Sequence, residues 1–438
     1  MREMKDSGIE WIGAIPQDWK TDRLQWHLKE INVSNNPIQT KNILSLTIEA
    51  GVIPYAEKRN QGNKAKEDYS QYKIAFPDTL VINSMNVIIG AVGISQYFGC
   101  VSPVYYVFEP IEGTDLRYIY YLFTNTGFQK EMRKYAKGIL EIRLRISSND
   151  MLKRIVPSPP FKEQQRIADY LDKMCAEIDT VLEKTRASIE EYKKLKQAVI
   201  TQAVTKGIRG DRPMKDSRIE WIGEIPESWE VSSVRYIGQL QNGISKGGEF
   251  FGKGFPFVSY GDVYKNYELP HSVSGLIDTT EGERATHSVE YGDIFFTRTS
   301  ETIEEVGFSC VCKRSIPNAT FAGFIIRLRP FCADEKILTD YAKYYFRGEH
   351  IRAYLVKEMN LVTRASLGQT LLKGMSVIVP PKSVQKEIAE YLDDKCADID
   401  ALVAKKQQYL TEIENYKKSL IYEYVTGKKE VKTSVLAD

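Results

Sequence analysis

The stretch between residues 160 and 207 constrains this chain most, because it reads as one long helix. No Pro or Gly interrupts the run from Phe161 to Lys206, so a single helix of about 46 residues is allowed. Side chains at alternating steps of three and four residues predict the seam of a coiled coil. The predicted seam consists of Leu171, Met174, Ile178, Val181, Thr185, Ser188, Tyr192, Leu195 and Val199. Such a seam requires a partner helix.

The partner is a second copy of this helix further along the same chain. The run that starts at Pro160 returns without gaps from Pro381, at an offset of 221 residues. Its seam consists of Leu392, Ile399, Leu402, Ile413, Tyr416 and Leu420, with Lys395, Lys406 and Tyr409 as weaker positions. We predict that the two helices pair as an antiparallel coiled coil within one chain. A coiled-coil dimer between two chains is the alternative.

A second repeat precedes each globular region. Met4 to Lys20 returns as Met214 to Glu230, with twelve of seventeen positions identical. The chain is therefore two copies of one unit, each with a short segment containing Trp and Pro, a globular domain and a long helix. Trp11 and Trp221 in these segments are interpreted as core residues, with docking of a partner near the helix ends as the alternative.

The predicted fold class is α+β, with two tandem globular α/β recognition domains separated and joined by two long helices that form an antiparallel coiled coil. The internal repeat predicts pseudo-two-fold symmetry. The expected parts are 1–155 (segment and first domain), 156–210 (central helix), 211–379 (segment and second domain), 380–427 (C-terminal helix) and 428–438 (a loose tail).

Local patterns predict the elements of each domain. Strands are predicted at Val81-Ile82, Val87-Ile88-Ile89 and Val104 to Phe108 in the first copy, and at Phe257 to Ser259, Asp293 to Phe296 and Phe324 to Leu328 in the second. A helix is predicted from Leu116, with Thr114-Asp115 as its cap and Gly138 as its stop. Thr339-Asp340 is the corresponding cap in the second copy.

Composition is typical of a soluble, well-cored protein, with 42% hydrophobic and 27% charged residues among 438. No apolar run approaches 18 residues, and the first residues do not resemble a signal peptide. The six Cys contain no CxxC pair, which favours a reducing compartment, the cytoplasm. The four His are scattered, so no metal site is predicted.

Positive charge is concentrated in the globular domains, although the net charge is only +2. Residues 129–154 contain eight Lys and Arg against three acids, and residues 343–373 contain six against two. Two similar basic domains are typical of a protein that binds a bipartite site on a DNA duplex. Ordinary surface charge is the alternative.

Polar loops follow equivalent predicted strands in the two copies. Asn83 to Asn86 follows the first of these strands, and Thr297 to Ser300 follows the second. Asn can contact adenine through two hydrogen bonds and Arg can contact guanine in the same way, so different loops suit different half-sites. A structural turn is the alternative for either loop. The candidate DNA-binding residues are Lys64, Lys66, Asn83, Ser84, Asn86, Lys134, Arg143, Arg145, Tyr260, Arg298, Thr299, Ser300, Lys357 and Arg364.

Together these features resemble the specificity subunit of type I restriction–modification systems. The resemblance rests on Trp-Ile-Gly-x-Ile-Pro before each domain, and on a Pro-Pro turn that leads into Gln-x-x-Ile-Ala-x-Tyr-Leu-Asp. It implies a subunit without catalytic residues or cofactor, in which each domain reads half of a split sequence in double-stranded DNA. It also implies helices that set the spacer and dock two methyltransferase (modification) subunits, with restriction subunits completing the complex. The expected docking residues in the coiled coil are Leu171, Ile178, Tyr192, Leu392, Ile399 and Ile413.

Two fragments superficially suggest an enzyme. Ser158-Pro159-Pro160-Phe161 is similar to the motif with which amino-methyltransferases hold a flipped adenine, but its repeat equivalent is Val379-Pro380-Pro381-Lys382 and no Gly-rich cofactor loop precedes it. Residues 247–254 have P-loop spacing but end in Gly254, where a Ser or Thr must bind Mg²⁺. We therefore predict a non-catalytic DNA-reading scaffold. A coiled-coil scaffold that binds proteins is the first alternative, and a self-contained methyltransferase is the second.

Overall fold

A computed structural model describes residues 2–48, 50–58, 68–138, 144–300, 305–358 and 365–432, without the side chains of Ser300 and Ala365. The chain divides into two compact units. Unit 1 is residues 1–186 with 408–438, and unit 2 is residues 187–407. Both boundaries fall inside long helices, so each unit contains one part of each helix.

Unit 1 is an α+β domain. Its strands are β1 (Met4–Asp6), β2 (Ala14–Pro16), β3 (Lys20–Arg23), β4 (Leu28–Ile31), β5 (Leu44–Thr47), β6 (Gly51–Pro54), β7 (Lys73–Ala75), β8 (Thr79–Asn83), β9 (Val92–Ser95), β10 (Gly99–Val101), β11 (Tyr105–Pro110) and β12 (Ile155–Ser158). Its helices are α1 (Leu116–Thr124), α2 (Thr126–Arg133), α3 (Ser148–Leu152) and the first part of α4 (Phe161–Lys206). The central sheet has the antiparallel order β4-β11-β8-β9.

Unit 2 repeats this plan. Its strands are β13 (Met214–Asp216), β14 (Glu224–Pro226), β15 (Glu230–Ser233), β16 (Gly238–Asn242), β17 (Phe251–Val258), β18 (Leu276–Ile277), β19 (Ile294–Thr297), β20 (Thr299–Ser300), β21 (Ser309–Val311), β22 (Thr320–Phe321), β23 (Ile325–Pro330), β24 (Ala365–Ser366) and β25 (Ser376–Val379). Its helices are α5 (Tyr260–Lys265), α6 (Glu281–Thr286), α7 (Thr339–Tyr345), α8 (Glu349–Glu358), α9 (Gln369–Gly374) and part of α10 (Lys382–Val425). The central sheet has the matching order β16-β23-β19-β21.

The long helices are antiparallel in each unit, as predicted. In unit 1, Lys417 contacts Asp179 at 2.6 Å and the ring centroids of Tyr170 and Tyr424 lie 4.5 Å apart. In unit 2, the symmetry-equivalent ion pair joins Lys196 to Asp400 at 2.6 Å. These pairs fix one register of the antiparallel helices, because a shift of either helix separates the charges.

The seam differs from the predicted one at every second position. Leu171, Ile178, Leu392 and Ile399 are buried, and Tyr192 and Ile413 are half-buried. The intervening seam residues in α4 are Cys175, Leu182 and Ile189, whereas the predicted Val181 and Leu195 are exposed. In α10 the predicted Leu402, Tyr409 and Tyr416 are likewise exposed. At Val181-Leu182 and Leu402-Val403 both neighbouring residues are apolar, so sequence spacing alone did not separate a step of three from a step of four there.

The same hydrogen bonds attach each domain to its long helices. In unit 1, the Gln164 side chain accepts the Asp115 N–H at 3.0 Å, and the Tyr121 hydroxyl donates to Asp172 at 2.7 Å. In unit 2, Gln385 accepts the Leu338 N–H at 2.7 Å. The equivalent hydroxyl bond in unit 2 joins Tyr344 to Asp393 at 2.7 Å. The internal repeat predicted from the sequence therefore extends to individual contacts.

The C-terminal end of each long helix packs on a repeated Trp segment. Gly427, with a left-handed φ of +70°, lies against Pro16 and the fully buried Trp19. Gly207, with φ of +81°, lies against the fully buried Trp229 in the same way. Both are glycines just past a helix end, where a left-handed residue closes the helix at no steric cost.

Several local predictions were wrong for identifiable reasons. Val87–Ile89 is a 3-10 turn rather than a strand. The helix from Leu116, capped by Asp115 as predicted, ends at Thr124 rather than near Gly138, because the Asn125 side chain caps a new helix. The second-copy helix begins after Leu338, and Thr339-Asp340 does not cap it.

The tail is also not loose where the structure describes it. The Lys428 ammonium donates to the Ala14 carbonyl at 2.5 Å, and Val431 is buried. Arg2, Met4 and Lys432 line one cavity of about 560 Å³ in unit 1. Residues 2–4 and 427–432 therefore lie together and close unit 1.

We expect a circular permutant to fold. Joining Lys432 to Arg2 through a short Gly/Ser spacer, and starting the chain at Asp211, should leave every described contact of unit 1 in place. The expected thermal midpoint lies within about 4 °C of the parent chain, because a single new loop costs little. Circular dichroism melting checks this. The control starts at Lys194 and breaks α4, so it should lose helicity; equal loss in both permutants would contradict the closure.

His350 should make unit 2 sensitive to acid. It is 3% exposed, neither ring nitrogen has a partner within the described structure, and burial lowers its pKa to about 3. Because the depressed pKa favours the neutral form in the folded state, stability is complete above pH 6.5 and is lost as pH falls towards 3. At pH 5.5 the loss is about 1.4 kcal/mol.

Urea titrations at pH 7.5 and 5.5 measure this effect. His350→Leu should remove about 1.4 kcal/mol of the acid-induced loss, whereas His271→Leu, at an exposed histidine, should leave it unchanged. Identical acid sensitivity of the parent chain and the His350 variant would show that the buried imidazole is not responsible.

Candidate nucleic-acid interface

Three strand ends meet at one edge of the unit 2 sheet. Strands β16 and β19 end there, at Asn242 and Thr297, and β23 begins there, because Asn242 pairs with Ile326 and Thr297 with Ile325. The side chains collected at this edge, here called edge 2, are those of Asn242, Arg298, Thr299, Phe324 and Gln369. Gln369 donates to Asn242 at 3.1 Å, and Phe324 is 62% exposed.

The backbone of Arg298 is held from both sides. Its N–H donates to the Phe324 carbonyl at 2.8 Å, and its carbonyl accepts the Leu367 N–H at 2.7 Å. The side chain is half-buried, and no hydrogen bond or ion pair of its guanidinium is found within the described residues. Arg298 thus holds, from a fixed backbone position, guanidinium donors that have no partner among the described residues.

Other arginines of unit 2 are used inside the protein. Arg329 pairs with the buried Asp293 at 2.6 Å. Arg347 donates to the carbonyls of Val263, Tyr264, Asn266 and Ser309, and burial lowers its pKa. Arg352 donates to the Val306 carbonyl, and burial lowers its pKa to about 10. Arg347 and Arg352 therefore contribute to the fold rather than to the external charge counted from the sequence.

The corresponding edge of unit 1 (edge 1) consists of Asn83, Ser84, Asn86, Arg145 and Lys137. Asn83 pairs with Tyr105 at the end of β8, and Ile146 N–H donates to the Ser84 carbonyl at 3.3 Å, as Leu367 does to Arg298. Lys137 and Arg145 exchange backbone hydrogen bonds of 2.8 and 2.9 Å, and both side chains are exposed. The loops that follow β8 and β19 are therefore equivalent in position, as predicted.

The side chains at the first turn of edge 1 are mainly structural. Asn83 and Ser84 are buried, and the Asn83 side-chain oxygen accepts the Met85 N–H at 3.0 Å. Asn86 is half-buried. Asn86 and Arg145 are thus the candidate residues of this edge that solvent reaches.

The candidate lysines of the two copies form equivalent ion pairs. Lys134 contacts Glu10 at 2.7 Å, and Lys357 contacts Glu220. Glu10 and Glu220 are equivalent residues of the repeated Trp segments. Because both copies form the same ion pair, we interpret Lys134 and Lys357 as attaching the Trp segments to α2 and α8 rather than as binding phosphate. Sequence reasoning missed these ion pairs, although Glu10 and Glu220 are part of the predicted repeat.

The remaining candidates fall into two groups. Tyr260 stands at the start of α5, where its ring stacks on Tyr264 with centroids 5.8 Å apart. Lys64, Lys66, Arg143 and Arg364 lie outside the described residues, as does the side chain of Ser300. Asn242, Gln369 and Phe324 were missed, because only strand pairing brings these distant residues to one edge.

The structure also shows the surroundings of the two repeated Trp residues and of the Pro-Pro turn. Trp11 and Trp221 pack on Phe128 and Tyr354, with centroids 5.9 and 4.9 Å apart, which supports the core interpretation. The Pro159-Pro160 turn joins β12 to the start of α4. No helix in the part of the chain that the structure describes is long and apolar enough to cross a membrane. The described residues also contain no cluster of three His, Cys, Asp or Glu side chains able to hold a metal.

Comparison with known proteins adds independent information. The profile of the family described as the type I restriction modification DNA specificity domain matches residues 16–191 and 226–414. The putative type I restriction enzyme MjaX specificity subunit of Methanocaldococcus jannaschii is 25% identical over 447 residues, which cover 96% of each chain. The EcoKI specificity subunit of Escherichia coli K12 is 24% identical over 278 residues, and this match covers 62% of this chain and 57% of that subunit.

A solved structure has the same fold. Its title is "Structural basis underlying complex assembly and conformational transition of the type I R-M system", and it is similar with a TM-score of 0.72 and 14% identity. The similarity covers 95% of this chain and 99% of that one. The chain belongs to the family of type I restriction–modification DNA specificity domains, with one family match in each half.

Proposed function

We propose that this chain is the non-catalytic specificity subunit of a type I restriction–modification complex. Each globular domain reads one half of a bipartite site in double-stranded DNA. The long helices set the spacer between the half-sites, and the chain docks two modification subunits, whose active sites methylate the DNA. Restriction subunits complete the full complex.

One observation carries the proposal: the two edges share a scaffold but differ in their side chains. The strand order, the loop position and the backbone hydrogen bond from Ile146 or Leu367 are the same. Edge 1 offers Asn86 and Arg145, whereas edge 2 offers Arg298, Thr299 and an amide pair. Amide and guanidinium groups on rigid backbone are the groups that recognise adenine and guanine in the major groove. Different groups on one scaffold suit two different half-sites.

Phosphate contacts must come from fewer residues than the sequence count predicts. Of the six basic residues between 343 and 373, four make internal contacts: Lys343, Arg347, Arg352 and Lys357. Lys137 and Arg145 of unit 1 are exposed. We therefore infer that phosphate binding positions the DNA near the edges, and that base contacts at the edges decide the sequence.

The alternative of a scaffold that binds proteins makes a different prediction. Duplicated domains would also suit such a scaffold. It does not explain why the Arg298 guanidinium has no partner among the described residues, or why the chain belongs to a DNA specificity family. The two hypotheses are separated by whether the chain determines where DNA becomes methylated.

Methylome sequencing of cells that contain this chain and the modification subunit of the same system tests the proposal. We expect N6-methyladenine in both halves of one split motif, and loss of all such methylation when the chain is deleted. Replacing residues 231–379 with the same region of another family member should change only one half of the motif, because each domain reads its own half.

A matched control replaces residues 21–155 instead and should change only the other half. Methylation that persists at the same sites without the chain would contradict the proposal. A change in both half-sites after a single exchange would contradict independent reading.

A further inference from the structure

Each unit presents one exposed aromatic side chain on the same turn. The 3-10 turns Leu24–Trp26 and Val234–Tyr236 follow β3 and β15. Trp26 is 64% exposed and Tyr236 is 59% exposed. A single exposed aromatic side chain on a protein surface needs no explanation. Here the exposure is repeated at equivalent positions of two copies that have diverged elsewhere.

The turns hold these side chains in fixed positions. The buried Leu24 donates its N–H to the Arg154 carbonyl at 2.9 Å, and the buried Val234 donates to the Met375 carbonyl at 3.0 Å. A second hydrogen bond closes each turn, from His27 to Leu24 and from Ile237 to Val234. Aromatic groups on rigid backbone lose little conformational entropy when they bind a partner.

The surroundings of Tyr236 have the composition of an interface core. Phe331 is 65% exposed, and its N–H donates to the Ile237 carbonyl at 3.0 Å. The Arg235 guanidinium lies 5.8 Å from the centre of the Tyr236 ring. Tyr236, Phe331 and Cys332 line a cavity of about 100 Å³. Aromatic residues and Arg are the types enriched at the centres of protein interfaces.

Unit 1 repeats the backbone contact beside its turn, where the Ile111 N–H donates to the His27 carbonyl at 2.9 Å. Ile111 is half-buried, whereas its equivalent Phe331 is exposed. We call the two faces turn surface 1 (Trp26 and Ile111) and turn surface 2 (Tyr236 and Phe331).

The turn surfaces lie at the opposite end of each sheet from the DNA-reading edges. Strand β16 starts at Gly238, beside turn surface 2, and ends at Asn242 on edge 2. Strand β4 likewise starts at Leu28, beside turn surface 1, and ends at Ile31 near edge 1. A partner on a turn surface therefore leaves the edge of the same unit open to DNA.

We propose that each turn surface docks one modification subunit, with Trp26 and Tyr236 as its central contacts. The inference rests on the proposed function, which requires the same partner twice. Faces that read different half-sites should differ between the copies, whereas faces that hold identical partners should be retained. An exposed aromatic side chain is retained on the turn of both copies, as Trp26 and Tyr236, whereas the polar side chains of edge 1 and edge 2 differ.

Cys332 provides a direct footprint of turn surface 2. It is the exposed one of the six cysteines, and the other five are buried. Burial raises the pKa of Cys175 and Cys396 to about 11 and that of Cys312 to about 12. Maleimide should therefore label Cys332 first, because the thiolate is the reactive form.

The first experiment measures maleimide labelling of the full chain by mass spectrometry, with and without purified modification subunit of the same system. We expect the subunit to slow Cys332 labelling by about tenfold or more, because a docked partner excludes the reagent. DNA alone should leave the rate unchanged. This footprint uses the parent chain and does not depend on how any variant folds.

The second experiment counts bound subunits by native mass spectrometry. The parent chain should bind two modification subunits, and Trp26→Ala or Tyr236→Ala should each weaken one site by about 30-fold, the usual effect of removing a central aromatic. The double variant should lose both. Ile38→Ala and Val356→Ala, at exposed apolar residues of each unit, are the matched controls and should bind two.

Three results would overturn the inference. The first is unchanged Cys332 labelling while two subunits are bound. The second is protection of Cys332 by the chain itself at rising concentration, which would make a second copy of the chain the occupant. The third is failure of the parent chain to bind any modification subunit, which would also refute the partner part of the proposed function; with binding intact, only the docking site is at issue.

Discussion

The packing of each long helix end into the domain of the other copy is the contact on which the rest of the structure depends. Tyr118 donates its hydroxyl to the Val425 carbonyl at 2.9 Å, and Tyr341 donates to the Val204 carbonyl at 3.1 Å. In both units the helix end comes from the other copy of the repeat. Neither domain completes its core from its own stretch of chain, so duplication and antiparallel pairing are required for each unit to be closed.

The repeated contacts explain which residues are free to change. Gln164, Asp172 and their equivalents Gln385 and Asp393 tie each domain to its helices by the same hydrogen bonds. In the described parts of the loops after β8 and β19, no hydrogen bond to the long helices is found. A domain that is attached to its helices by these polar contacts can therefore carry a different set of polar groups on one sheet edge at little cost in stability. A DNA specificity subunit requires this separation, because its recognition groups can then change while the attachment of each domain to the helices stays the same.

Much of the fold was predictable because both repeats are visible as internal identity in the sequence. The two helices, their antiparallel pairing and the α+β domains follow from heptad spacing and internal identity. The choice between Val181 and Leu182 did not follow, since both are apolar and a three-residue step fits as well as a four-residue step. Lys196 and Lys417 were not assigned to the seam, which was placed on the neighbouring Leu195 and Tyr416, yet each lysine forms an ion pair with an Asp on the facing helix. The edge residues Asn242 and Phe324 become neighbours only through strand pairing, which local patterns do not encode.

The central claim is that edge 1 and edge 2 face different halves of one DNA site. The most direct measurement places a photo-crosslinking amino acid at position 86 or at position 299, in a complex with modification subunits on a duplex that carries the methylated motif. The account predicts that position 86 crosslinks within one half-site and position 299 within the other. Crosslinking of both positions to the same half-site, or to neither half, would contradict it.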